Sequence, residues 1–201
     1  MLEASKLTFK YDKNKPWLFE NLDLSIAPGE IVGLPGPSGR GKSTLAKILA
    51  GYLSSHESGK VLIDGTPLKS NEFCPAQLIF QHPELAVNPR WKIKETLCEA
   101  GTPDKSLFEE LSINNAWLDR YPHELSGGEL QRICLARALN PKVKYLLCDE
   151  MTSMLDALTQ AAIWKVVLEV AKKRDLGLLI ISHDGALISR LCNRTIPYFQ
   201  N

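Results

Sequence analysis

The sequence predicts an α/β fold: a parallel sheet flanked by helices, with an antiparallel layer near the start of the chain and an inserted helical lobe. Three observations point there. Ile31-Val32-Gly33-Leu34, Tyr145-Leu146-Leu147-Cys148 and Leu178-Leu179-Ile180-Ile181 are continuous apolar runs, as expected of parallel strands covered on both faces. Helical stretches alternate with them, from Lys42 to Ala50, Leu130 to Leu139 and about Ala157 to Lys173, the alternation that marks a parallel α/β core. Leu7-Thr8-Phe9-Lys10-Tyr11 and Leu22-Asp23-Leu24-Ser25-Ile26 instead alternate apolar and polar residues, as strands with one wet face do.

Each further element follows in order. Lys60 to Ile63 runs into Asp64-Gly65 and reads as another strand of the antiparallel layer with its turn. Between about Gln81 and Tyr121 the character changes to mixed polar and apolar residues punctuated by prolines at 83, 89, 103 and 122, which predicts short helices. The chain is therefore read as a single domain, 1–201, with a core from about 1–80 and 140–201 and a helical subdomain over about 81–139.

Composition limits the choices. With 201 residues, 44% of them hydrophobic, the chain can build one substantial core and a small lobe. Lys plus Arg number 24 against 23 Asp plus Glu, so nothing in the charge balance suggests nucleic acid as a partner. The five cysteines are scattered without a C-x-x-C pair, which predicts a reduced, intracellular protein. The first residues lack the basic and then apolar regions of a secretion signal, and no apolar run nears the roughly 18 residues a membrane span requires. The chain is thus not expected to form a channel itself.

Directly after the first buried strand stands Gly36-Pro37-Ser38-Gly39-Arg40-Gly41-Lys42-Ser43-Thr44, which fits the phosphate-cradling pattern G-x-x-x-x-G-K-[ST] in its strand-then-helix setting. Glycines let backbone N–H groups wrap onto phosphate oxygens, and a helix beginning near Lys42 adds its positive dipole end. Lys42 is expected to reach the β- and γ-phosphates of ATP, and Ser43 to place its hydroxyl on Mg²⁺. Arg40 occupies a variable position of the loop.

The strand Tyr145 to Cys148 ends in Asp149-Glu150, two acids delivered to the edge where open α/β sheets bind ligands. Alone, such a pair is usually a solvated loop start. Below a phosphate loop, Asp149 is expected to hold Mg²⁺ and Glu150 to accept a proton from the attacking water.

Leu125-Ser126-Gly127-Gly128-Glu129-Leu130-Gln131-Arg132 precedes a helical run. Ser126 and Glu129 form a capping box, but capping leaves unexplained two glycines at the helix start, where each costs about 1 kcal/mol against alanine in a helix interior. Close approach of an anion to bare backbone N–H groups would account for them.

These eight residues resemble the signature motif of ABC ATPases, and they lie between a phosphate loop and an Asp-Glu strand as in that family. The resemblance spans nearly the whole chain and implies a RecA-like P-loop NTPase core with an antiparallel β layer and a helical insert. It implies a head-to-tail dimer with a second ABC ATPase, identical or not, in which Ser126, Gly127, Gly128 and Glu129 serve the partner's nucleotide. By the same resemblance Gln81 contacts Mg²⁺ or the attacking water and couples to transmembrane permease subunits. Asp156 belongs to the loop that communicates across the dimer, and His183 contacts the γ-phosphate. Tyr11 stands where the family places a ring against adenine, although a lone strand aromatic is equally a packing residue, and a lone histidine at a strand end is more often structural.

One departure stands out. The family usually reads Pro-Thr-Ser-Ala-Leu-Asp after the acids, whereas this chain has Met151-Thr152-Ser153-Met154-Leu155-Asp156, so the backbone after Glu150 is expected to be less constrained. The short stretch after His183 carries the expectation that no regulatory domain follows. Phe80 to Arg90 is similar to the branch that imports peptides, nickel and metal-chelator complexes, which implies an extracytoplasmic substrate-binding protein and a place on the cytoplasmic face of the membrane. Two other readings stay open: a soluble ABC ATPase of DNA repair or translation, and a weakly hydrolysing half of a heterodimer.

Overall fold

The structure, a computed structural model, describes residues 1–54, 58–69, 72–99, 101–102 and 104–199; Pro103, one of the prolines of the helical lobe, lies outside them. The elements are β1 (Leu2–Phe9), β2 (Phe19–Ile26), β3 (Ile31–Pro35), α1 (Lys42–Leu49), β4 (Ser58–Ile63), β5 (Thr66–Pro67), β6 (Ala76–Ile79), α2 (Ile93–Cys98), α3 (Ser106–Glu110), α4 (Gly127–Ala138), β7 (Tyr145–Asp149), α5 (Ala157–Arg174), β8 (Gly177–Ser182), α6 (Gly185–Leu191) and β9 (Arg194–Thr195).

Two sheets form the frame. One is antiparallel in the order β2-β1-β4-β5, and the other is parallel in the order β6-β7-β8-β3-β9. The apolar runs are the middle strands of the parallel sheet, and their side chains feed two cores by turns. Leu146, Cys148, Leu178 and Ile180 face a cluster shared with α4, α5 and the helical lobe, whereas Tyr145, Leu147, Leu179 and Ile181 face one built with α1 and the antiparallel sheet. Period-two side-chain direction makes both faces of such a strand apolar. The lobe's Ile93, Leu97, Leu107 and Leu111 belong to the first cluster, so the lobe is packed into that core.

Parallel pairing aligns the carboxyl ends of four strands. Pro35 lies opposite Ser182, Asp149 opposite Ile181 and Ile79 opposite Cys148. Residues 36, 150 and 183, which directly follow three of these ends, and 81, two beyond the fourth, therefore emerge along one sheet edge.

Several predicted bounds differ. β1 stops at Phe9 and Tyr11 sits in a bend beyond it, because Leu18 N donates to the Phe9 carbonyl and closes the strand there. α4 begins at Gly127 rather than Leu130, since the Ser126–Glu129 capping box organises the first turn. β6 and β9 have no counterpart in the hydrophobic pattern, being only 4 and 2 residues long.

Candidate active site

The phosphate loop turns from β3 into α1 through three residues with positive φ, Gly36 at 146°, Gly39 at 81° and Gly41 at 101°. At two of them glycine is also required by space: a Cβ on Gly36 would stand 2.6 Å from the Phe199 carbonyl oxygen and one on Gly41 2.7 Å from Leu18 Cγ. Pro37, Ser38, Gly39 and Arg40 line the turn between them, all four exposed. Lys42 is only 4% exposed, and its Nζ donates to the Gly36 and Pro37 carbonyls at 2.7 Å each. A buried ammonium needs such partners. The lysine thus ties the loop together here instead of extending beyond it, and burial pulls its pKa down while Glu150 and Asp149 act in the opposite sense.

Ser43, on the first turn of α1, hydrogen-bonds to Asp149, the last residue of β7. Asp149 is 7% exposed, and burial raises its carboxyl above the ordinary range, offset in part by Ser43. A carboxylate held in a dry site beside a hydroxyl is a set of hard oxygen donors suited to Mg²⁺, which takes one or two protein oxygens and completes its shell with phosphates and water. These two residues fit that ion.

Glu150 follows in left-handed backbone, φ 47°. That region is strained for a side-chain-bearing residue by about 1–3 kcal/mol and persists where the surroundings impose it. Here Glu150 N donates to the Ile181 carbonyl, and its own carbonyl accepts from Ser153 Oγ at 3.0 Å. The strained turn aims the carboxylate at His183, whose Nδ1 lies 3.1 Å from Glu150 Oε1. Gln81 closes the far side, with Nε2 donating to Ser153 Oγ at 3.2 Å.

The backbone after Glu150 is held without the proline. Met151 and Thr152 are each 2% exposed, and the Trp164 indole N–H donates to Thr152 Oγ1 at 3.1 Å. Sequence reasoning missed Trp164 and Thr152, because only folding brings α5 under this turn.

Tyr11 is 63% exposed, and its hydroxyl lies 2.6 Å from Thr44 Oγ1. Its ring therefore stands over the start of α1 and leaves a face to solvent. Ser126 and Glu129 cap α4 as predicted, with Ser126 N donating to Glu129 Oε2 at 2.7 Å. Nothing lies within 4 Å of a Cβ placed on Gly127, and one on Gly128 would find ordinary contacts at 3.5 and 3.8 Å to Leu155 and Thr159. Packing within the chain therefore does not require these glycines. Asp156 caps α5, its Oδ1 accepting from Leu158 N and Thr159 N at 3.1 and 3.0 Å. The structure brings together Lys42, Ser43, Asp149, Glu150, His183 and Gln81 along the sheet edge, whereas the hydrogen bonds of Ser126 and Glu129 stay within their own turn.

The family model described as ABC transporter matches residues 19–153. The chain belongs to the ABC transporter family. ABC ATPases bind and hydrolyse ATP, and this chain shares that activity. The nickel import system ATP-binding protein NikE of Staphylococcus aureus strain RF122 is 35% identical to this ABC ATPase over 98% of the chain and 85% of that protein. The same protein from strain MSSA476 is 34% identical over the same shares. Among solved structures, the dimeric bacterial ABC transporter cassette MJ0796 superposes with a TM-score of 0.83 at 24% identity, over 98% of this chain and 93% of that one. CbiO1 of Clostridium perfringens, part of an ABC transporter complex, gives 0.77 at 23% identity over 96% and 82%. No helix of the described residues is long and apolar enough to cross a membrane.

Proposed function

We propose that this ABC ATPase is a peripheral subunit on the cytoplasmic face of a membrane importer for nickel, metal chelates or peptides, driven by hydrolysis at the Glu150–His183 end of β7 and β8. The observation that carries the catalytic part is the contact of 3.1 Å between His183 Nδ1 and Glu150 Oε1, set beside Lys42, Ser43 and Asp149. Glu150 takes the proton of the water that attacks the γ-phosphorus, and with its carboxylate ionised the His183 Nδ1–H is the donor that orients it. Ser43 and Asp149 would hold Mg²⁺, which would neutralise and orient the phosphates. Gln81 places its amide near the same water, Lys42 exchanges its loop carbonyls for phosphate oxygens, and Tyr11 offers its open face to adenine.

The open space over Gly127, with only ordinary contacts at Gly128, supports a second ATPase subunit arranged head to tail, its γ-phosphate resting on the Ser126–Glu129 turn while Asp156 lies at the joint between the two. The likeness to nickel import ATPases supports permease subunits as membrane partners and an extracytoplasmic binding protein that selects the cargo. Co-expression with the membrane proteins encoded beside this chain tests the reading. ATP turnover that rises on assembly and is lost in Lys42→Ala supports it; turnover without any membrane association refutes the importer role.

A further inference from the structure

The segment that leaves β6 is fastened to α4 by three hydrogen bonds in a single register. Gln131 Nε2 donates to the Phe80 carbonyl at 3.3 Å, the Cys134 thiol to that of Pro83 at 3.7 Å and the Arg137 guanidinium to that of Ala86 at 2.7 Å. Donors and acceptors both advance by three, so every rung joins residues 51 apart. Residues three apart share a helix face, and Pro83–Ala86 is a 3₁₀ turn whose own period is three. One stripe of α4 thus matches successive carbonyls of the Gln81 segment.

The first rung is the informative one. Gln131 is 1% exposed, and its Oε1 is buried without a hydrogen-bond partner. Methionine or leucine would free the fold of this unpaired Oε1 but leave the Phe80 carbonyl without its donor, so the glutamine has no clear net advantage for stability. Stability therefore does not explain a glutamine. Its amide holds the Phe80 carbonyl, while the Phe80 ring meets Tyr52, beyond the end of α1, edge-on at 5.8 Å. The next residue is Gln81, which reaches Ser153 and, through it, the Glu150 carbonyl.

We propose that Gln131 is a positioning residue for ATP hydrolysis: from the buried face of α4 it fixes the Phe80 peptide and thereby aims Gln81 at the Ser153–Glu150 end of the site. Arg137, ion-paired with Glu99 at 2.8 Å, and Cys134 anchor the rest of the segment. The inference rests on the catalytic reading of Glu150 and Gln81 given above. On that reading one rigid helix serves two nucleotides, presenting Ser126 to a partner's site and setting Gln81 in its own.

Gln131→Met keeps the bulk and removes the donor, and Gln131→Leu guards against a defect peculiar to methionine. The measurements are kcat and KM for ATP with the full chain, thermal melting, and amide hydrogen exchange across residues 80–86. Both variants trade one unpaired oxygen for another, so they are expected to melt close to the parent and to exchange faster over 80–86. Their kcat falls roughly ten- to a hundredfold, the scale of loss from small misplacements, with KM unchanged. In a Gln81→Ala background Gln131→Met lowers kcat no further, the non-additivity of residues acting through one another. Unchanged exchange, an unchanged kcat, or additive losses in the double variant overturn the proposal. Glu150→Gln run alongside separates the two ideas: parent-level turnover there refutes the catalytic reading, and exchange at 80–86 still decides whether Gln131 holds the segment.

Discussion

Replacing Thr152 with valine tests how the turn that carries Glu150 is held. The side chains are nearly the same shape, but valine offers no oxygen to the Trp164 indole N–H, which donates to Thr152 Oγ1 at 3.1 Å in a site where Thr152 and Trp164 are 2% and 5% exposed. Stranding a buried donor costs about 1–3 kcal/mol. For a chain of this size each kcal/mol moves Tm by about 2–4 °C, so Thr152→Val is expected to melt about 2–12 °C lower. Trp164→Phe leaves the oxygen unpaired and a gap besides. The double variant removes both partners, so its loss is expected to be smaller than the sum of the singles, by a coupling of about 0.5–3 kcal/mol. Calorimetry of the four proteins gives the cycle, and ATP turnover per folded molecule shows whether loosening the turn also slows catalysis. Strict additivity, or an unchanged Tm in Thr152→Val, would refute the idea that this bond replaces the missing proline.

Three further outcomes follow from the same physical reasoning. Burial raises Asp149 above its ordinary pKa, so the stability its protonated form contributes is present below the unfolded value of about 3.9 and is lost as pH rises through the folded one. Asp149→Asn is therefore expected to melt higher than the parent at pH 7 without nucleotide, with the gain disappearing at low pH and Mg²⁺-dependent turnover abolished; a lower Tm at pH 7 would contradict this. Glu30 has the opposite sign: its hydrogen bond to Arg194 holds its carboxyl below the ordinary range. Its contribution is thus present above about 4.3 and lost as pH falls through the folded value, and the stability gap between parent and Glu30→Gln, measured by urea titration, is expected to close in acid. Tyr11→Ala should weaken ATP binding about tenfold, since stacking on a base contributes about 1–3 kcal/mol, whereas Tyr11→Phe keeps the ring and the affinity; equal losses in both would assign the effect to the bond with Thr44.

The middle of the parallel sheet was legible because strands buried on both faces leave an unbroken apolar run, as Leu178 to Ile181 does. The ends of β3 and β7 were legible as chemistry, since glycines with a lysine, and two acids in succession, are unusual at those places. The rest depends on pairing. β6 carries a polar Gln77 within four residues and β9 exists only through its bonds to β3. Tyr11 continues the alternation of β1 in sequence, but the chain leaves the sheet after Phe9. Nothing along the chain announces that Gln131, Cys134 and Arg137 meet carbonyls 51 residues earlier, nor that Trp164 supports the turn that Met151 was expected to loosen. Both are contacts between elements that the linear pattern treats separately.

Glu150→Gln removes the carboxylate that its left-handed backbone turns toward His183, the group proposed as the base for ATP hydrolysis. The measurement is the single-turnover rate of ATP hydrolysis together with ATP affinity, on protein shown by melting to be folded. If Glu150 is the base, ATP affinity stays at the parent's level and hydrolysis falls at least about a hundredfold, within the range for losing a positioned general base. Hydrolysis at the parent's rate by a folded Glu150→Gln chain would contradict it.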